Sequence, residues 1–307
     1  MTSTHGLVLR ARSGFYTVRT DEGDLIEARL RGRVKRERQA SDLAVIGDRV
    51  EVERLPDGTG AIASVEERRT RFSRRQPGPR GSWREDVMVA NPDLVAVVFA
   101  VDRPPPNPRL IDRFLVVAEY NEVPALLVAN KVDLGADAAR AVFGPYERIG
   151  YDVLYTAAKA GVGLEELRAR LAGRLSIVTG PSGVGKSTLL NALQPGLHLA
   201  TGEVSAFLEG KGRHTTTHAE LLPLEGVEGG YVADTPGIRE LGLWEIPPSG
   251  LAWCFPEFRE HLGSCAFNDC SHVHEPRCGL RAAVGCGQVS EERYDSYRRM
   301  LTGDLAG

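Results

Sequence analysis

The stretch Ile177-Val178-Thr179-Gly180-Pro181-Ser182-Gly183-Val184-Gly185-Lys186-Ser187-Thr188 constrains the fold of this chain more than any other. A short β-branched run leads into G-x-x-x-x-G-K-S, and Leu189-Leu190-Asn191-Ala192-Leu193 follows with helical character. Strand, glycine loop and helix in that order are the frame a phosphate-binding loop requires. The glycines let successive backbone N–H groups turn inward around an anion, and the helix start adds its positive end. Gly180, Pro181, Ser182, Gly183, Val184, Gly185 and Thr188 are therefore candidate nucleotide contacts. Lys186 is placed to reach β- and γ-phosphates, and Ser187 to ligate Mg²⁺. The motif predicts nucleoside triphosphate binding.

A chain of 307 residues is too long for one small core, so two or three domains are expected. A net charge of −3 argues against wholesale coating of nucleic acid but permits a local basic face. No apolar run approaches the roughly 20 residues of a membrane helix. The start, Met1-Thr2-Ser3-Thr4-His5, lacks the basic and apolar segments of a signal peptide, so a cytoplasmic location is expected. All five cysteines lie after Trp253, a clustering that points to metal rather than to a disulfide framework.

The first 75 residues read as short strands separated by turns, with β-rich text at Leu7-Val8-Leu9, Phe15-Tyr16-Thr17-Val18, Leu25-Ile26-Glu27-Ala28 and Arg49-Val50-Glu51-Val52. This spacing predicts a small barrel of OB-fold type. Arginines crowd the region (Arg29, Arg31, Arg33, Arg36, Arg38, Arg68, Arg69, Arg71, Arg74 and Arg75), and Phe15 or Tyr16 would offer a stacking surface for RNA. Interleaved acids permit the alternative of a solvated, charge-mixed surface. Arg74 to Ser82, rich in proline and glycine, reads as a linker. Beyond it the pattern changes. Leu94 to Val101 is continuously apolar, as a strand buried on both faces of a parallel sheet would be. Helical and strand patterns then alternate as far as the glycine loop, which implies an α/β layer architecture.

One of those strands runs into Asn130-Lys131-Val132-Asp133, which matches the guanine-reading N-K-x-D of P-loop GTPases. The Asp133 carboxylate can accept from guanine N1–H and the exocyclic amine, a pair that adenine does not offer. Asn130 would brace the loop and approach N7, and the Lys131 stem would lie over the base. Thr156-Ala157-Ala158-Lys159 ends the next strand and resembles the S-A-K loop whose backbone amide meets guanine O6, with Ala157 in place of serine. After the P-loop, Gly212-Arg213-His214-Thr215-Thr216-Thr217-His218 resembles switch I, with Thr216 and Thr217 as nucleotide contacts and Thr217 as a Mg²⁺ ligand. Tyr231-Val232-Ala233-Asp234-Thr235-Pro236-Gly237 is a strand followed by D-x-P-G, placing Asp234 in the Mg²⁺ shell and the Gly237 amide at the γ-phosphate. The GTPase parts are thus complete but begin with the guanine-reading half. A circular permutation explains that order, because chain ends move readily between exposed loops.

Cys265, Cys270, His272 and Cys278 form C-x4-C-x-H-x5-C, with Cys254, His274 and Cys286 as substitutes. Three thiolates and one imidazole make a closed tetrahedral Zn²⁺ site, structural because no position remains for water. The helical text from Glu291 to Leu301 carries Arg293, Arg298 and Arg299, which would meet RNA or line a solvated face.

Taken together, the barrel, the permuted GTPase motifs, the text Gly212-Arg213-His214-Thr215-Thr216-Thr217 and the cysteine–histidine pattern resemble the RsgA (YjeQ) family over nearly the whole chain. The resemblance implies an α/β, circularly permuted P-loop GTPase core at 84–242. It implies an OB-fold RNA-binding domain at 1–75 before that core and a zinc-binding helical domain at 243–307 after it. It further implies GTP/GDP with Mg²⁺ as the nucleotide, one structural Zn²⁺, and the 30S ribosomal subunit with its rRNA as partner. In that family, docking on the 30S subunit stimulates GTP hydrolysis, which releases the factor. No membrane partner is expected, and the expected state is a monomer. Ile238 stands where Ras-like enzymes keep a water-orienting glutamine. Lys186 and the Gly237 amide would hold the transferring phosphate, and His214 is expected to orient the water. An unchanged subunit-stimulated rate in His214→Ala would remove His214 from that role. A GTP-dependent metal chaperone and a non-hydrolysing RNA-binding scaffold are the competing readings. The first needs an open metal site, and the second would tolerate a degraded P-loop.

Overall fold

The computed structural model describes residues 3–32, 44–77, 83–194, 219–234 and 246–304. Five strands close the N-terminal barrel: β1 (Ser3–Arg12), β2 (Phe15–Thr20), β3 (Leu25–Leu30), β4 (Arg49–Arg54) and β5 (Gly60–Val65). The pairings run β1–β2–β3–β5–β4 and return to β1, with only β3–β5 parallel. Alternate residues point inward, so Val8, Tyr16, Val18, Ile26, Ala28, Val50, Val52 and Ile62 fill the barrel. Tyr16 belongs to that core and is no stacking surface; Phe15 is exposed, with the Arg29 guanidinium 4.1 Å from its ring centre. Five of the arginines in the expected basic face pair with acids: Arg31 with Glu53, Arg68 with Asp48, Arg69 with Asp93, Arg71 with Glu85 and Arg74 with Asp86, while Arg33, Arg36 and Arg38 lie outside the described residues.

The expected linker is instead largely a hairpin. Strands β6 (Arg71–Pro77) and β7 (Trp83–Ala90) pair antiparallel on either side of it. Residues 78–82 lie outside the described residues, and the arginines of the flanking strands mask their alternation in the sequence.

The core is a three-layer α/β/α unit. Its strands are β8 (Leu94–Ala100), β9 (Ala125–Asn130), β10 (Asp152–Thr156), β11 (Leu175–Thr179), β12 (Ala219–Pro223) and β13 (Tyr231–Asp234), in the order β10-β9-β8-β11-β13-β12. All are parallel except β12. Every residue of β8 is buried, and its side chains divide strictly. Val95, Val97 and Phe99 pack with helices α1 (Pro108–Tyr120) and α2 (Ala136–Arg148). Leu94, Ala96, Val98 and Ala100 pack with α3 (Leu164–Leu171) and α4 (Lys186–Leu193). Two covered faces explain the uninterrupted apolar text.

Barrel and core share one sheet. The first half of β1 pairs with β4, and beyond a register shift at Val8/Arg10 the strand pairs with β12 through Arg10↔Glu220 and Ala11↔Ala219. The C-terminal region is helical, with α5 (Gly279–Gly285) and α6 (Glu291–Thr302) packed around Phe255, Phe258 and Tyr297.

Candidate functional site

Because β8 to β11 and β13 run parallel, the loops leaving their C-terminal ends lie along one edge, where open α/β sheets bind ligands. Asn130 ends β9 opposite Thr156 at the end of β10, so both guanine-reading loops start at the same level. The buried Asn130 side chain then does two things. Its amide donates to the Val184 carbonyl inside the P-loop (2.9 Å), and its Oδ1 accepts from Thr156 Oγ1 (3.1 Å). Gly185 must lack a side chain for this, since a Cβ there would sit 2.5 Å from Asn130 Nδ2, and its φ is +98°. Lys131, in left-handed backbone conformation, turns its ammonium back to the Gly183 carbonyl (2.8 Å) and to the Arg103 carbonyl. Burial lowers its pKa below the ordinary lysine value, with Asp102 and Asp133 acting the other way. Asp133 lies exposed on the following 3₁₀ turn, Val132–Leu134, open to an incoming base edge. The Ala157 N–H is taken by the Val162 carbonyl (3.1 Å), so the amides left at this loop are those of Ala158 and Lys159.

The phosphate half is equally ordered. Gly180, Gly183 and Gly185 all have positive φ, which curls the loop as an anion nest. Lys186 opens α4, its ammonium 2.7 Å from the carbonyls of both Gly180 and Pro181. The Ser187 hydroxyl is buried and has no hydrogen-bond partner among the described residues. An orphaned hydroxyl in the first turn of this helix suits a Mg²⁺ ligand. The backbone of Asp234 ends β13 on the same edge, paired with Glu220. His214, Thr216, Thr217 and Gly237 lie outside the described residues.

A second site lies in the C-terminal region. The ligand atoms of Cys265, Cys270, His272 and Cys278 all lie within 4.8 Å of one another. Cys265 Sγ is 3.8 Å from Cys278 Sγ and 3.4 Å from His272 Nδ1, and Cys278 Sγ is 3.5 Å from that nitrogen. A tetrahedron with Zn–S of about 2.3 Å and Zn–N of about 2.0–2.1 Å has edges of about 3.8 and 3.6 Å, so the donor set fits zinc. Desolvation lowers the His272 pKa, favouring the neutral imidazole that ligates. On protein groups alone the Cys270 thiol is pushed up to about 12, by desolvation first and then by bonds with Cys278 and Cys265. Adjacent thiolates thus need a cation. The Glu275 carboxylate accepts from the backbone N–H of Ser271 (2.8 Å), Val273 and His274 (both 3.3 Å) and holds the ligand loop in shape. Tyr294 and Tyr297 of α6 donate to the carbonyls of His272 (2.6 Å) and Ser271 (2.7 Å). Cys254, His274 and Cys286 do not belong to the cluster.

Two family models match the chain: the RsgA N-terminal domain over residues 5–62 and the RsgA GTPase over residues 65–244. The chain belongs to the RsgA GTPase family. Among curated relatives, the small ribosomal subunit biogenesis GTPase RsgA of Gemmatimonas aurantiaca is 46% identical over 302 residues, covering 97% of each chain. That of Moorella thermoacetica is 42% identical, covering 98% of this chain and 97% of the relative. The crystal structure of YjeQ from Thermotoga maritima aligns with a TM-score of 0.79 at 37% identity, covering all of both chains. That of YloQ, a circularly permuted GTPase, aligns at 0.75 and 30%, covering 100% of this chain and 97% of YloQ. The permuted order and the GTPase class expected from the RsgA resemblance therefore stand.

A further expectation does not. Arg293 is buried, not presented to RNA. Its guanidinium donates to Asp112 Oδ1 of α1 (2.7 Å) and to both carboxylate oxygens of Glu257 (2.6 and 3.1 Å). Burial alone would lower its pKa, but Asp112 and Glu257 outweigh that and raise it. The available signal was an aspartate at an inward position of the amphipathic α1, with buried Ile111, Phe114 and Leu115 around it. Such a residue calls for a partner.

Proposed function

We propose that this RsgA-family chain hydrolyses GTP in the maturation of the small ribosomal subunit, binding the subunit through its rRNA. The two curated relatives described above carry that role in their names. The observation that carries the nucleotide assignment is the Asn130–Val184 bond, because it ties the guanine-reading loop to the phosphate loop across the permuted chain. Asp133 accepts from the guanine N1–H and amine, the Ala158 N–H meets O6, Lys131 and Lys159 flank the base, and Lys186 reaches the β- and γ-phosphates. Mg²⁺, held by Ser187, Thr217 and Asp234, neutralises phosphate charge. Thr216 and the Gly237 amide contact the γ-phosphate, and His214 orients water where Ile238 cannot. The Cys265, Cys270, His272 and Cys278 site holds structural zinc. We place the division into parts near 1–75, 84–242 and 243–307, and the working location in the cytoplasm. No helix among the described residues is long and apolar enough to cross a membrane. Four converging ligands disfavour a metal chaperone, and an intact P-loop disfavours a passive scaffold.

Calorimetry with GTP, ATP and the xanthine nucleotide tests the assignment. Asp133→Asn should lower GTP affinity on the order of a hundredfold, since two charge-assisted hydrogen bonds are lost. It should improve binding of xanthine, which presents an acceptor where guanine has its amine. Equal affinity for ATP and GTP in the native chain, or an Asp133→Asn preference unchanged, would overturn it. Cosedimentation with 30S particles in the presence of a non-hydrolysable GTP analogue, against GDP, tests the partner.

A further inference from the structure

Helix α6 holds the first two turns of α1 at two points. Arg293 donates to Asp112, and Arg109 pairs with Asp295 at 3.1 Å. The Tyr146 hydroxyl, from α2, donates to the same Asp112 oxygen (2.8 Å) and lies 3.2 Å from the carbonyl of Pro108, the first residue of α1. Asn107 caps this helix, accepting from the Arg109 and Leu110 N–H groups (3.0 and 3.4 Å). Immediately before the cap the chain forms the loop after β8, whose Arg103 carbonyl accepts from the Lys131 ammonium. That ammonium is shared with Gly183 of the P-loop, and a Cβ on Gly183 would lie 3.6 Å from Pro104. Hydrogen bonds thus join the C-terminal helix to the start of α1 and Lys131 to the P-loop, and the short run from Arg103 to Asn107 connects the two as continuous chain.

We propose that Asp112 and Arg293 are positioning residues for guanine nucleotide binding: by fixing the start of α1 they set the Arg103 carbonyl that holds Lys131 against the P-loop. The proposal rests on the nucleotide reading given above. It requires reciprocity, because a contact network that strengthens nucleotide binding must itself be strengthened by bound nucleotide. Release of α6 from α1 weakens nucleotide affinity, and nucleotide in turn protects α6.

The test uses the full-length chain, with affinity for fluorescent GDP and backbone amide exchange of α6 measured with and without GDP. Binding of GDP by the native chain tests the underlying reading by itself. Asp112→Asn removes one of the two carboxylate charges that Arg293 faces while keeping side-chain shape, and is expected to weaken GDP binding by about fivefold or more. Arg109→Ala breaks a half-exposed pair and should fold normally, with a loss of about twofold. Glu291→Gln serves as control, because Glu291 is exposed in the first turn of the same helix and its side chain makes no bond to α1 among the described residues. Weaker GDP binding in the first two variants, together with GDP-dependent protection of α6 in the native chain, supports the proposal. Unchanged affinity in Arg109→Ala and in Asp112→Asn, or an equal loss in Glu291→Gln, overturns it. Should Asp112→Asn fail to fold, Arg109→Ala and the exchange measurement decide.

Discussion

On its N-terminal side the nucleotide-binding sheet meets the barrel through backbone. Strand β1 passes from barrel to sheet by pairing with β12, and the Ala90 N–H donates to the Ile46 carbonyl (2.9 Å), with one added bond from the Asn91 side-chain amide to the Gly47 carbonyl (3.0 Å). Leu9, Ile46 and Phe72 complete this joint from within the same apolar cluster as Val95, Leu175 and Leu221. On its C-terminal side the sheet meets the zinc-site helices through side chains. Val116 of α1 packs among Phe255, Phe258 and Tyr297, and the buried Arg293 joins Asp112 to Glu257. A backbone ladder tolerates most residue types and follows the twist of the sheet. A desolvated guanidinium between two carboxylates tolerates one geometry, because any displacement leaves charge unpaired out of water. The barrel is therefore an extension of the sheet, whereas the C-terminal region is keyed to one position on it.

That contrast can be broken at three places. The largest effect is expected from the zinc site. Chelation, or Cys265→Ser, should unfold the region from Arg259 to Thr302 while leaving the barrel folded, since structural zinc supplies about 10–16 kcal/mol in small zinc-dependent units. Limited proteolysis should cut within that region alone; an unchanged digestion pattern would show that helix packing suffices without metal. Next comes Gly47→Ala at the barrel joint. Gly47 has φ +85°, and an added Cβ would lie 2.0 Å from the Ala90 carbonyl oxygen. The cost in urea unfolding should be about 1–3 kcal/mol. Gly58→Ala, with φ +84° but nothing within 4 Å, should cost less. If the two cost the same, the joint yields and the ladder is not tightly seated. The smallest effect is expected from Glu220→Gln, which removes the exposed ion pair with Arg10 across β1 and β12. It should change stability by about 0–1 kcal/mol and abolish only a salt-sensitive part of it. A loss well above that at low salt, fading at high salt, would mean that charge, not backbone pairing, carries the barrel joint.

Legibility in the sequence followed how local the physics was. The P-loop frame, the N-K-x-D strand end and the cysteine–histidine spacing could be read because each requirement is met within a few residues. A loop that cradles phosphate must curl over its own glycines, and a tetrahedral site needs closely spaced donors. The hairpin of β6 and β7 was missed because arginine and proline obscured its alternation. Arg293 was misread because a charged residue in a helix is ordinarily solvated, and its partners Asp112 and Glu257 lie far away in the chain.

By itself, the amino-acid order determined that this chain is a permuted GTPase with a small barrel before it and a metal-type cluster after it, since those features rest on backbone conformation and donor chemistry. Only the tertiary structure decided that Asn130 locks the two halves of the pocket together, that β1 continues into the sheet, and that Arg293 keys the C-terminal helices to α1. Each of those depends on burial, which removes water as the alternative partner and is set by residues distant in sequence.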